Sequence, residues 1–293
     1  MLERSKIVGD PPVINTAETL ELSYAEDLGA VEAIKIANDF EAALGTEEVF
    51  LQYQPMIDLS TGKIKGFEAL MRWIHGEKGF ISPDVFIPLL EDNGMIVKAS
   101  SWALEEALMA LKRIEGKAGY DKELFMSVNF SSRDFAADGF VEGVYDTISK
   151  SEVDAEQVHL EITERLLMGQ PENAKETLSE CQKSGMGISI DDFGTGYSSL
   201  SYLHYFPINI LKIDRSFVME MLSKDSSMEL VKSMIGLGKN LKMKIIAEGV
   251  ETIEEAQKLR DLGCDMAQGY YFARPMKEED VIEFIKENRQ IDF

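Results

Sequence analysis

Apolar residues follow two rhythms along this chain. Short, nearly continuous apolar runs alternate with longer stretches whose apolar positions recur at helical spacing. The short runs predict strands at Val49–Ile57, Ile64–Met71, Leu124–Asn129, Gln157–Ile162, Gly187–Asp191, Ile208–Ile213, Met243–Ala247 and Met266–Phe272. The longer stretches predict helices at Val31–Leu44, Pro83–Asp92, Ser100–Glu115, Gly139–Lys150, Pro171–Ser184, Ser226–Leu241, Thr252–Leu262 and about Lys277–Glu287. Thr252 is placed to cap its helix, and Gly263 to stop it. Strands alternating with helices point to an α/β fold, a TIM-like (β/α)8 barrel, with a doubly wound open sheet as the structural alternative. One connection is irregular. Only Ser60-Thr61-Gly62-Lys63 separates the first two strands, a hairpin length, so the first strand should run antiparallel to the second.

Residues 1–30 stand apart. Pro11-Pro12 breaks any early helix, and no clear period follows, so this stretch reads as an N-terminal arm or linker to which a sensory or regulatory module could be joined. Residues 31–293 read as one barrel domain, since single barrels commonly run about 250 residues.

Charge narrows the partners. The formal net charge is −22. That field disfavours nucleic-acid polymers and anionic membrane surfaces, yet a phosphate ester can still bind where divalent cations bridge it to carboxylates. No apolar run is long enough to cross a membrane, and no signal-peptide pattern opens the chain. Cys181 and Cys264 lie far apart and read as reduced, buried thiols, which places the protein in the cytoplasm. His75, His159 and His204 lack the spacing of a zinc site. Trp73 and Trp102 read as core residues.

Polar residues interrupt the apolar runs at one recurring place, the C-terminal ends of strands. Glu68, Asn129, Glu161, Asp191-Asp192, Lys212, Asp214, Glu248 and Gln268 all sit there. In a barrel those ends converge on the face that carries active sites. Carboxylates crowded on one rim repel each other unless a cation neutralises them. An all-oxygen donor set favours Mg²⁺ or Mn²⁺ over softer metals. Adjacent Asp191 and Asp192 could serve two ions, the recurrent device for attacking phosphate esters. Any one of these residues alone could be a cap or a surface charge; the joint pattern is what favours chemistry. Lys212 stands out of phase with Leu211 and Ile213, so it should point into the barrel mouth. Gly194-Thr195-Gly196 makes a flexible turn after the aspartates, and Ser198 or Ser199 could cap a following helix.

The motifs Tyr53-Gln54-Pro55, Phe67-Glu68-Ala69-Leu70-Met71-Arg72-Trp73, Val128-Asn129-Phe130-Ser131, Leu160-Glu161-Ile162-Thr163-Glu164, Asp191-Asp192-Phe193-Gly194-Thr195-Gly196-Tyr197, Leu211-Lys212-Ile213-Asp214, Ala247-Glu248-Gly249-Val250-Glu251 and Gln268-Gly269-Tyr270 occur in this order. The set resembles the EAL-domain cyclic di-GMP phosphodiesterases over about residues 35–288. The resemblance implies hydrolysis of cyclic di-GMP to the linear dinucleotide 5′-pGpG with Mg²⁺ or Mn²⁺, and a barrel with an antiparallel first strand. It implies that Glu68, Asn129, Glu161 and Asp191 hold one ion. Asp191 and Asp192 hold the other, with Glu248 nearby. Lys212 positions the attacking water. Gln54, Leu70, Arg72, Asp214 and Gln268 line the substrate site, Arg72 facing a phosphate. Glu251 anchors the Gly194–Gly196 loop and Glu164 supports the metal shell. A homodimer through the segment after Gly196 is a further implication. The sequence departs from the pattern at Arg165, close to the metal shell, and at Asn209. A catalytically silent cyclic di-GMP receptor is the competing reading, and a scaffold without nucleotide binding a third. Intact Glu68, Asp191, Asp192 and Lys212 favour the enzyme over the receptor, and Arg72 and Gln268 weigh against the scaffold.

Overall fold

The first hairpin sets the direction of the whole sheet. In the computed structural model, which describes residues 29–119, 124–169, 171–195, 203–288 and 290–293, β1 (Val49–Asp58) pairs antiparallel with β2 (Ile64–His75). The Asp58 carboxylate accepts from the Ser60 and Thr61 backbone N–H groups, both at 2.9 Å, and so folds the turn on itself. Gly62 takes φ +69° there, and an added Cβ would lie 2.1 Å from the Ile291 carbonyl oxygen, so only glycine fits. β3 (Gly79–Ile81) extends β2 as a short second hairpin that the apolar pattern did not announce.

The remaining strands are parallel and in sequence order: β4 (Phe125–Phe130), β5 (Val158–Thr163), β6 (Gly187–Phe193), β7 (Ile210–Ile213), β8 (Lys244–Ala247) and β9 (Met266–Ala267). β9 then pairs antiparallel with β1, which closes the sheet. Closure excludes the open doubly wound sheet and confirms the barrel with its first strand antiparallel. Two strands are shorter than expected. After Ala267 the chain turns, with the Phe272 and Ala273 N–H groups both donating to the Gly269 carbonyl, so the apolar residues beyond it pack rather than pair. Residues 208–209 approach β6 through one backbone bond, Asn209 N–H to Ile188, before the β7 ladder begins.

Helices α1 (Ala30–Ala43), α2 (Pro83–Asn93), α3 (Ile96–Ala118), α4 (Ser132–Phe135), α5 (Phe140–Ser151), α6 (Glu164–Gly169), α7 (Pro171–Lys183), α8 (Arg215–Glu220), α9 (Asp225–Asn240), α10 (Ile253–Asp261) and α11 (Glu278–Glu287), with a 3₁₀ turn at Ala155–Gln157, complete the described elements. α3 is longer at both ends than its periodicity suggested. Thr252 caps α10 through a reciprocal box with Glu255, and Gly263 follows with φ +85°, as expected. The segment expected as an N-terminal arm lies outside the described residues up to Gly29, where the chain enters α1. Gly196, Ser198 and Ser199 also lie outside them.

Strand alternation sorts side chains into separate cores. Outward-facing Leu211, Ile213, Ile245 and Ala247 join the main layer between sheet and helices, together with buried Cys181 and Cys264. Inward-facing Ile210 and Ile246 pack with Met56 and Met266 inside the barrel. A third cluster holds α1 and α2 against β2 around fully buried Trp73, whose ring meets Phe40 edge-on at 5.2 Å and Phe86 at 5.9 Å. Trp102 is partly buried against the core. Trp73→Ala should cost about 3–5 kcal/mol, and Trp73→Phe distinctly less because most of the ring contact survives. Urea denaturation reads both; equal losses would show that the ring does not hold this cluster.

Candidate active site

Lys212 lies at the centre of the inward face. It is fully buried on β7, and its Nζ lies 2.7 Å from Glu248, 2.9 Å from Glu161, 3.1 Å from Asp191 and 3.2 Å from Glu68. These carboxylates come from β8's end, β5, β6 and β2, so five strands meet at one ammonium. The amides of the same rim complete the layer. Asn129 donates to Glu68 at 2.9 Å, and Gln268 donates to Glu68 at 2.7 Å and to Glu248 at 3.0 Å. Gln54 lies opposite Glu68 across the β1–β2 ladder and donates to the Ala273 carbonyl at 3.3 Å.

One ammonium cannot balance four carboxylates in a buried place. Burial works against the Glu68 charge, but Lys212, Gln268 and Asn129 outweigh it and hold its pKa below the ordinary value. Burial and the neighbouring Glu68 charge push Glu161 well above the usual carboxylate range. Burial, with Asp191 and Glu68, does the same to Glu248. Burial disfavours the Lys212 charge, yet its surrounding carboxylates raise its pKa well above that of a free lysine. The surroundings thus favour the charged form of Lys212 and the neutral forms of Glu161 and Glu248.

Asp192 joins the cluster because β6 breaks its alternation. A regular strand would send Asp191 and Asp192 to opposite faces. Here the β6–β7 register shifts between Ile190 and Phe193, and Asp192 adopts φ +54°. Both aspartates then turn to one side. Ligand atoms of Asp191, Asp192 and Glu248 come within 4.8 Å of one another, as do those of Glu68, Glu161 and Asp191. Burial together with Asp191 and Asp214 pushes Asp192 up to about 6. Gly194 takes φ +99° immediately after, where an added Cβ would lie 2.5 Å from Met234 and 2.9 Å from the Phe217 ring.

The two overlapping carboxylate groups fit hard divalent ions. Every donor is oxygen, and Glu161 Oε1 is buried with no hydrogen-bond partner among the described residues. Asn129 stands beside the first group through Glu68, and Asp191 is shared by both.

Other expected residues take varied positions. Leu70 and Arg72 continue the inward face of β2 past Glu68. Arg72 is half-buried; its Nε donates to Gln52 at 2.8 Å, and burial lowers its pKa. Asp214 caps α8, accepting from the Ser216 N–H at 3.0 Å. Glu164 is buried and accepts from the Gly194 N–H at 3.4 Å, so it touches the loop after β6. Glu251 is exposed, and its backbone N–H donates to Glu255; the loop it was expected to anchor runs into the undescribed residues 196–202. Arg165 is exposed, and its charge acts on Glu91.

A cavity of about 450 Å³ opens beside Arg72. Phe50, Gln52, Tyr270 and Arg274 line it with Arg72. The Arg274 guanidinium sits 4.2 Å over the Tyr270 ring. Sequence reasoning missed Gln52 and Arg274 and gave Tyr270 no role. Gln52 was accessible to it, being two residues from Gln54 on the same strand face. Arg274 follows no strand end and offered no such signal.

A family model for the EAL domain matches residues 37–275. The chain belongs to the EAL domain family. This EAL domain is 38% identical over 255 residues to the bifunctional diguanylate cyclase/cyclic di-GMP phosphodiesterase MucR of Pseudomonas aeruginosa, covering 86% of this chain and 37% of that one. It is 35% identical over 260 residues to the cyclic di-GMP phosphodiesterase NbdA of the same organism, covering 89% and 33%. It thus spans about a third of the length of these curated relatives. Among solved structures, the EAL enzyme Bd1971 with cAMP and cyclic di-GMP bound superimposes with a TM-score of 0.84 at 37% identity, over 89% of this chain and 71% of that one. The PaMucR phosphodiesterase in complex with c-di-GMP gives 0.80 at 37%, over 84% and 99%.

A protonated carboxyl cannot hold a cation, so divalent-ion binding here must expel protons. Mn²⁺ affinity of the EAL domain is expected to rise as pH rises through about 6, where Asp192 titrates. It should continue rising above that, as the raised carboxyls Glu161 and Glu248 ionise. Calorimetry in buffers of different protonation enthalpy counts the protons; a count of zero near pH 6 contradicts the arrangement. Lys212→Met removes the ammonium that alone, among the described residues, pairs with the carboxylate ring, which should destabilise the metal-free protein by about 3–5 kcal/mol. Part of that loss should return as pH falls and the carboxyls protonate; urea unfolding at two pH values measures it, and a pH-independent loss would implicate packing alone.

Proposed function

We propose that this EAL domain hydrolyses cyclic di-GMP to the linear dinucleotide 5′-pGpG. The observation that carries the reading is the Lys212-centred carboxylate layer opening beside an arginine- and tyrosine-lined cavity. Relatives of more than 30% identity named as cyclic di-GMP phosphodiesterases support it. Glu68, Asn129, Glu161 and Asp191 would hold one ion, Asp191 and Asp192 a second, with Glu248 adjacent. When bound, Mg²⁺ or Mn²⁺ ions supply acidification of water and neutralisation of phosphoryl charge.

The chain's own residues bind and orient. Arg72 and Arg274 offer planar donor forks for phosphate oxygens. The exposed face of Tyr270 suits stacking of a guanine base. Gln54, Leu70, Asp214 and Gln268 line the space between that cavity and the carboxylate layer. Lys212 is held by Glu68, Glu161, Asp191 and Glu248; with those carboxylates shared by bound cations, it would turn an N–H to the attacking water and keep it aligned. Water adds to one phosphorus as its bond to the 3′ oxygen breaks. The ring opens with a 5′-phosphate and a free 3′-hydroxyl. Glu164 fixes the start of the loop after β6, which we place, with Glu251, at a homodimer contact through the segment after Gly196. A regulatory module on the N-terminal side completes the reading.

Purified protein incubated with cyclic di-GMP and Mg²⁺ or Mn²⁺ should yield the linear dinucleotide on separation of the products. Glu68→Ala should abolish turnover, and Lys212→Ala should lower kcat by about 10²–10³. Tight binding without turnover under either metal would replace the enzyme with a silent receptor.

A further inference from the structure

The end of the barrel away from the carboxylate layer holds a second cavity, of about 480 Å³. Phe125, His159, Gly187, Asn209, Lys242 and Lys244 line it. Most of these lie at or near the starts of β4–β8, so the cavity enters the barrel from below. His159 is two residues before Glu161 on the inward face of β5, which places the cavity about 7 Å beneath the catalytic layer.

Its wall is built from an uncommon packing. The Phe125 and His159 rings stack at 4.4 Å with planes 16° apart. Glycines flank the pair on both sides. An added Cβ on Gly66 would lie 2.7 Å from the Phe125 ring, and one on Gly187 would lie 2.6 Å from the His159 ring. Two rings thus fill the width that four inward side chains would share. His159 Nδ1 is buried in this wall without a hydrogen-bond partner among the described residues, a costly state for an imidazole nitrogen. Met186, Ile208, Ile210 and Met266 continue the apolar side of the surface, and Gln182, Asn209 and Glu156 its polar side.

The rim is cationic in a chain of net charge −22. Lys242 adopts φ +62° at the C-terminal end of α9, a place where glycine or asparagine is usual. Its ammonium has no ion pair among the described residues. Lys244 pairs at 3.3 Å with Asp265, which also takes Lys239 at 2.8 Å. Glu156 is the one carboxylate in the lining.

We propose that this lower mouth of the barrel binds a small anion with a flat apolar body, of the aryl carboxylate or aryl phosphate class. Its anionic head would meet Lys242 and Lys244, and its body would lie against the Phe125–His159 wall. The inference is independent of the hydrolase reading, and its test does not measure turnover.

The chain has three histidines, His75, His159 and His204, so imidazole ring signals of the histidine-labelled full chain are simple to follow by NMR. Benzoate and phenyl phosphate should each shift the His159 ring signal saturably, with a dissociation constant of about 1 mM for ligands of this size. The His204 signal should stay still. The double variant Lys242→Glu, Lys244→Glu changes exposed side chains only, and should weaken binding about tenfold or more by replacing attraction with repulsion. Absence of a saturable His159 shift with both aryl anions overturns the proposal. So does equal binding by the double variant, or an equal shift from benzylamine. Inorganic phosphate that matches phenyl phosphate would overturn the role of the apolar body.

Discussion

The buried ammonium of Lys212 is the constraint around which the rest of this protein is arranged. A lysine inside a barrel is costly unless anionic groups surround it. Four carboxylates at 2.7–3.2 Å supply that surrounding and are in turn held together by it. Neither partner is stable alone. On four strands the layer beneath is apolar, with Met56, Ile210, Ile246 and Met266 packed together. The result is a preorganised ring of oxygens with an excess of negative charge, a state that divalent cations relieve.

Two local departures from regular sheet geometry complete the ring. The antiparallel β1 places Gln54 opposite Glu68, and Gln52 within reach of Arg72, from a strand that runs the other way. The shifted register at the end of β6 turns Asp192 to the side of Asp191. Without that break the second carboxylate would face the helices. The left-handed conformation of Asp192 is a local strain that its neighbours must hold in place. Gly194 leaves room for Met234 and Phe217 to pack against its backbone.

This arrangement explains which residues were legible in the sequence. Glu68, Glu161 and Lys212 were readable because alternation within an apolar strand fixes the side on which each residue lies. The hairpin direction was readable from its length alone. Asp192 was readable as a neighbour of Asp191 but not as a member of the same face, because period-two logic sends it away. β9 was over-extended because an aromatic run after Gln268 satisfies both strand and loop packing. Arg274 and the Tyr270 ring come together past the end of any strand, where no periodic signal operates. The Phe125–His159 stack was also illegible, since it depends on glycines of two other strands, Gly66 and Gly187, leaving room for it.

Electrostatics also account for how so acidic a chain can receive an anionic ligand. A net charge of −22 repels any phosphate ester at long range. At physiological salt that repulsion fades over about 8 Å, so short-range placement of cations decides binding. The structure keeps positive groups where anions would dock: Arg72 and Arg274 beside the carboxylate layer, Lys242 and Lys244 at the opposite mouth. At the carboxylate layer the charge of buried Lys212 is already offset by its four carboxylates. Charge for a substrate phosphate must therefore come from the cavity arginines and from bound divalent ions. On the proposed function, bound cations would reconcile the acidity of the rim with phosphate chemistry, and they would meet Glu161, Glu248 and Asp192, the carboxyls whose pKa values the site raises.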